Sequence, residues 1–275
     1  MLIKGLSHPE HEPVFRMPAV LGPASGPRNM PRSKAHLRFD GDTQVLAIPA
    51  TSTVEALNRL LPERCSLLGE PILEAVVMCQ KNLGWLAGRG YNIVALRIPV
   101  MFDGKGGAFK ANFTPVLWEN MADPILTGRE ELGSPKLFAT IPDPLGVGDG
   151  VAASAEWEGF RFFDFRIAGL EAVEEAPPGG LPNLLYKYFS RTGNWQAPEV
   201  SQMTRAVPGQ APAPKLSEHQ VGQGRFAFHP ARWEDMPTQY TFINTLAELP
   251  LTGFGPARSY RMSGISDLMA QELVD

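Results

Sequence analysis

The stretch Tyr91–Leu117 reads YNIVALRIPVMF, then DGKGG, then AFKANFTPVL. Two β-rich runs flank Asp103-Gly104-Lys105-Gly106-Gly107, a turn chemistry that folds a chain back on itself as an antiparallel hairpin. Working outward, a second hairpin is written in Val151 to Trp157 and Phe160 to Ile167 around Glu158-Gly159, its later run carrying Phe160, Phe162, Phe163 and Phe165. Val45 to Ile48, Pro71 to Met78, Lys136 to Ile141, Leu184 to Phe189 and Gly224 to His229 read as further strands. Strands joined as hairpins and not through βαβ units predict an antiparallel barrel or sandwich in place of a parallel doubly wound sheet.

Helices are few. Ser52 and Glu55 stand at capping-box spacing before Val54, Leu57, Leu60 and Leu61, with Pro62 closing the segment. Ile125 to Leu132 reads as a short helix ended by Gly133, and Tyr240 to Leu249 and Ile265 to Leu273 as two more. The Ala/Pro-rich stretch Gln196 to Lys215 reads as a surface excursion. Residues 1 to 35 show neither period and read as an extended arm, expected to pack on something else such as a neighbouring subunit; residues 36–275 then form one domain. The 27 glycines and 26 prolines among 275 residues, spread along the chain, disfavour a helical bundle.

A net charge of −4 without a basic stripe argues against a nucleic-acid partner. No apolar run approaches the length of about 18 residues needed to span a bilayer, and no leader-like segment precedes the histidines and prolines of the N-terminus, so a soluble, cytoplasmic protein is expected. Cys65 and Cys79 lack the spacing of a zinc site and read as buried thiols. Gly146 to Gly150 lacks the strand-to-helix context of a phosphate loop. His8, His11, His36, His219 and His229 are dispersed, while Glu130-Glu131 and Glu174-Glu175 are adjacent pairs whose members point apart. Lys136, just after Pro135 at a strand start, reads by itself as a solvated strand-end charge.

Glu119–Lys136, ENMADPILTGREELGSPK, resembles the acetoacetate decarboxylase family, in which a Gly-Arg-Glu helix end leads through a proline to a lysine that forms a Schiff base with the substrate ketone. Tyr91–Phe102 is similar to the family strand that begins Tyr-x-Glu and ends Ile-Pro-Val-x-Phe. Ala56–Met78 resembles its helix, Pro-Glu turn and following Glu-Pro strand. Leu181–Lys187, LPNLLYK, looks like the Pro-Asn-x-x-x-Lys strand, and Ser259–Leu268 a C-terminal segment, so the likeness covers roughly residues 45 to 270.

The resemblance implies an α+β fold, a mainly antiparallel closed or conical β-barrel with a few peripheral helices, and a homo-oligomer. It implies a Schiff-base lyase in which Lys136 attacks a small keto acid and the iminium draws electrons for decarboxylation, with no metal or organic cofactor. Arg129, Tyr91 and Ile93 are the implied substrate-binding positions. The sequence departs from the family pattern in three places. Leu137 replaces a second lysine. Ile93 replaces the carboxylate of Tyr-x-Glu, and Val76 stands where the Glu-Pro strand has its acid, which leaves Glu74, on the same strand face by period 2, as the expected substitute acid or base. The family's N-terminal pocket arginine has no match in register; Arg38 is the nearest. Two other functions fit these departures: an aldolase-dehydratase condensing pyruvate with an aldehyde through the same lysine, and a non-catalytic barrel holding a small apolar ligand, for which Lys136 would be exposed or paired.

Overall fold

The computed structural model describes residues 14–22, 24–177, 179–267 and 269–275. Its first half runs β1 (Asp42–Thr51), α1 (Val54–Asn58), β2 (Cys65–Leu67), β3 (Ile72–Leu83), β4 (Arg89–Gly104), β5 (Gly107–Phe113), β6 (Leu117–Glu119), α2 (Ala122–Thr127) and β7 (Lys136–Phe138). The second half runs β8 (Leu145–Val147), β9 (Gly150–Trp157), β10 (Phe160–Ala172), β11 (Asn183–Arg191), β12 (Asn194–Ala206), β13 (Lys215–Phe228), α3 (Tyr240–Ala247), β14 (Gly253–Phe254), β15 (Pro256–Ser263) and β16 (Gln271–Leu273).

Sheet pairing is antiparallel apart from β5 with β11 and β6 with β7. The hydrogen-bonded path β16-β12-β11-β5-β4-β3-β1-β15-β13-β10-β9-β8 has two ends that do not pair among the described residues, so the mostly antiparallel sheet is not closed by hydrogen bonds into the expected barrel. Both hairpins form where the turns predict them. Gly104 pairs with Gly107 across Lys105-Gly106. Glu158 and Gly159 take φ of 47° and 86°, the left-handed pair that matches the twist of flanking strands.

Alternation determines the core. Leu46, Ile48 and Ala50 of β1, Leu73, Ala75 and Val77 of β3, and Val94, Leu96 and Ile98 of β4 bury one face against Phe162, Phe163, Phe165 and Trp118. The opposite face of β4 is apolar too at its start, where Tyr91, Ile93 and Ala95 pack with Leu83 and Leu117. A strand apolar on both faces needs cover on both, and the cover on this second face frames the site. Cys79 is buried and Cys65 half-buried; burial pushes the Cys79 thiol up to about 12 and Cys65 up to about 11.

Four local expectations change. The cap of α1 is Thr53, whose Oγ1 accepts from the Ala56 N–H at 3.2 Å, and not Ser52. Helix α1 ends at Asn58, leaving Leu60 and Leu61 outside it. The Ala/Pro-rich excursion is a strand for half its length: β12 pairs with β11, accommodating Pro198 at a register shift. The helix expected over 265–273 is absent; that segment is irregular up to β16, and Leu268 lies outside the described residues. The described arm residues, 14–22 and 24–35, carry 3-10 turns at Ala19–Leu21 and Pro27–Asn29 and lie against their own chain: Arg16 pairs with Glu130 at 3.2 Å and Arg28 with Glu131 at 2.8 Å.

Candidate active site

Lys136 opens β7 immediately after Pro135, which cannot extend α2 and turns the chain back into a strand. Ahead of Pro135, α2 runs into a π-helical turn, Gly128–Leu132, which Gly133 ends in the left-handed conformation at φ 83°. The parallel register of β6 with β7 sets Leu117 opposite Lys136 and Glu119 opposite Phe138. Side chains two apart on a strand share a face, so Glu119 and Lys136 meet: Nζ lies 2.8 Å from Glu119 Oε1 and donates to the Pro124 carbonyl at 3.0 Å. On the other face of β6, Trp118 is fully buried and donates its indole N–H to Gln239 Oε1 at 2.9 Å, anchoring the strand that carries Glu119.

Both charges are withdrawn from water; Lys136 is 8% exposed and Glu119 1%. Burial raises the Glu119 carboxyl above its usual value, partly offset by the charge and hydrogen bond of Lys136. Its second oxygen, Oε2, is buried with no hydrogen-bond partner among the described residues. A buried acid with an elevated pKa and a free acceptor is equipped to take a proton from an adjacent amine and return it.

Lys136 lines a cavity of about 310 Å³ with Pro27, Arg28, Arg38, Phe39, Trp85 and Tyr91 among its walls. Tyr91 is buried, and burial together with the Glu119 charge keeps its phenol protonated well above the usual range. Arg38 has a buried Nε with no hydrogen-bond partner among the described residues, an available cation on the wall. Gly128 leaves the space in which the lysine lies: a Cβ there would stand 2.4 Å from Lys136 Cε and 2.7 Å from Nζ. Among the described residues no group of three His, Cys, Asp or Glu side chains is gathered that could hold a metal.

The residues anticipated from sequence divide. Tyr91 and Lys136 share the cavity. Ile93 sits beside it, packed with Tyr91 and directly opposite Glu119 in the β4/β6 register. The carboxylate missing at position 93 is thus present on the neighbouring strand. Arg129, an implied substrate-binding position, is exposed and does not line this cavity; its NH1 donates to the Lys136 carbonyl at 2.9 Å. Glu74 is not brought to Lys136. It pairs in register with Arg97, whereas Ile93 pairs with Met78, four residues along the strand or roughly 13 Å. Glu74 lines a separate cavity with Arg97, Arg258 and Tyr260. Period 2 identified its face correctly but not its position along the sheet. Glu119 was missed as a site residue although it begins the segment that carries the resemblance. An acid ending an apolar run, Val116-Leu117-Trp118-Glu119, is the signal that was available.

The sequence matches the family model described as acetoacetate decarboxylase (ADC) over residues 16–250. A search of the curated proteins finds no match. Among solved structures, an acetoacetate decarboxylase superposes with a TM-score of 0.68 at 16% identity, covering 92% of this chain and 95% of that one. The acetoacetate decarboxylase of Legionella pneumophila gives 0.62 at 15% identity over 86% of this chain and 87% of that one. The enduracididine biosynthesis enzyme MppR, complexed with the condensation product of pyruvate and imidazole 4-carboxaldehyde, gives 0.65 at 16% identity over 86% and 88%. At these identities the likeness is one of fold. The family match, by contrast, takes in most of the chain, from the arm's Arg16 and Arg28 through the segment joining Glu119 to Lys136, and by it this chain belongs to the acetoacetate decarboxylase family.

Proposed function

We propose that the protein is a Schiff-base-forming carbon–carbon lyase that acts on a keto acid through Lys136. The observation that carries this reading is the buried amine held against a buried carboxylate on the wall of a cavity. Passing a proton from Lys136 to Glu119 leaves a neutral amine, and burial favours that neutral pair over two separated ions. The amine nitrogen attacks the ketone carbon, the oxygen leaves as water, and the protonated imine draws the electrons of the carbon–carboxylate bond. CO₂ departs, the resulting enamine takes a proton at carbon, and water releases the ketone. Arg38 is positioned on the wall to receive a carboxylate, and the Tyr91 phenol, kept protonated, to donate a hydrogen bond.

A second reading shares every step up to the imine. With pyruvate, Glu119 would remove a proton from the carbon beside the iminium, and the enamine would add to an aldehyde and then lose water. The free Glu119 Oε2 beside the amine favours it, as does the fold shared with MppR. The non-catalytic reading called for an exposed or paired lysine, and Lys136 is paired. Against it stands Gly128, whose missing side chain keeps the amine on the cavity wall.

One experiment separates the three. Borohydride reduction with acetoacetate or pyruvate is expected to add one substrate mass at Lys136, and Lys136→Ala to abolish the adduct. CO₂ release from acetoacetate then identifies the decarboxylase, and an unsaturated keto acid from pyruvate plus an aldehyde identifies the aldolase-dehydratase. An adduct at another lysine overturns the proposal, as does the absence of any adduct at Lys136 with keto acids both small and large.

A further inference from the structure

Resting on that reading, we infer that the natural substrate is a keto acid bearing an apolar substituent of aromatic-ring size beyond the carbonyl, and that acetoacetate and pyruvate are poor substrates. The first ground is volume. A cavity of about 150 Å³ accommodates benzene, so 310 Å³ has room for about twelve heavy atoms, roughly twice the size of pyruvate or acetoacetate.

The second ground is the chemistry of the walls. Phe39, Trp85, Leu132, Ile265 and Met269 face the space around Lys136. The acid on that wall is already engaged: Asp267 Oδ2 accepts from the Gln210 N–H at 3.1 Å and Oδ1 from the Met269 N–H at 3.2 Å. Arg28 is likewise held by Glu131 at 2.8 Å, which leaves Arg38 for the substrate carboxylate. A six- or seven-atom acid bound at Lys136 would leave the aromatic and aliphatic walls against water, and a hydrophobic tail would displace that water.

Each further buried methylene is worth about fourfold in binding, so a tail of phenyl size should exceed the small acid by at least about 50-fold. The test pairs 3-oxo-3-phenylpropanoate with acetoacetate and 2-oxo-3-phenylpropanoate with pyruvate, acids of twelve heavy atoms against seven and six, each pair equimolar with the full-length protein and borohydride. Intact mass and peptide mapping give the ratio of adducts at Lys136, normalised to imine formation by a free alkylamine. A ratio of ten or more in either pair is the expected result, and Trp85→Ala should lower it at least about fivefold. Ratios below ten in both pairs, with the small acids trapped at Lys136, overturn this inference and leave the proposed chemistry standing. No adduct at Lys136 with any of the four acids removes the chemistry itself.

Discussion

Gly128 has ordinary right-handed helical dihedrals, φ −62° and ψ −43°, so its backbone has no need of glycine. In such a place alanine is normally favoured by about 1 kcal/mol. What alanine would meet is the end of the Lys136 side chain, which can move aside only by giving up its buried pair with Glu119. Gly128→Ala should therefore still fold but with a lowered melting temperature, and should lower borohydride trapping by about 100-fold or more; full trapping in that variant would mean that the lysine functions from another position. Glu119 gives a second expectation at the same scale. Because burial raises its carboxyl, and the base form is the one that relieves Lys136 of its proton, activity should rise with pH through a value above the usual glutamate figure of about 4.3. Glu119→Gln removes the acceptor, so kcat/KM should fall and its acid limb disappear. A limb unchanged in the Gln variant would assign it to another group.

At the scale of elements, the site depends on one short connection. Helix α2 supplies the Pro124 carbonyl, the π-helical turn supplies Gly128, and Arg129 links the start of that turn to the backbone of Lys136 itself. Arg129 does not line the Lys136 cavity, and we propose that it acts as a positioning residue. A lysine there cannot reproduce the planar fork of the guanidinium, so Arg129→Lys should lower kcat by about tenfold with KM little changed, through a displaced β7. Equal kcat in variant and parent would leave the bond to the Lys136 carbonyl without a role. Elements were legible at glycine turns, though the periodic pattern over 265–273 gave no helix among the described residues. Glu158-Gly159 placed its hairpin to the residue, and Gly133 placed the end of the turn before Lys136. They were illegible where composition misled: Pro198 sits within β12, a strand accommodated only because its neighbour β11 shifts register beside it.

At the scale of the molecule, the core and the site share one strand. Trp118 and Glu119 are adjacent on β6, one face entering the main core against Phe162 and Phe228, the other holding Lys136. Gln239, just before α3, accepts the buried indole N–H, so Gln239→Leu should strand that donor and cost about 1–3 kcal/mol in urea denaturation. An unchanged midpoint would show that the indole finds another acceptor. The amino-acid sequence by itself determined the hairpins and the faces of the strands, because alternation and turn chemistry act over a few residues; it read Lys136 as a solvated strand end, where the structure buries it, and only the resemblance made that lysine a candidate. The partner of that lysine was decided only by tertiary structure. Glu119 reaches Lys136 because β6, hooked onto β4, takes β7 alongside it in parallel, and Glu74 misses because its register places it against Arg97. A period of two says which way a side chain points; how far along the sheet it lies depends on pairings between segments distant in the chain, which packing of the whole core selects.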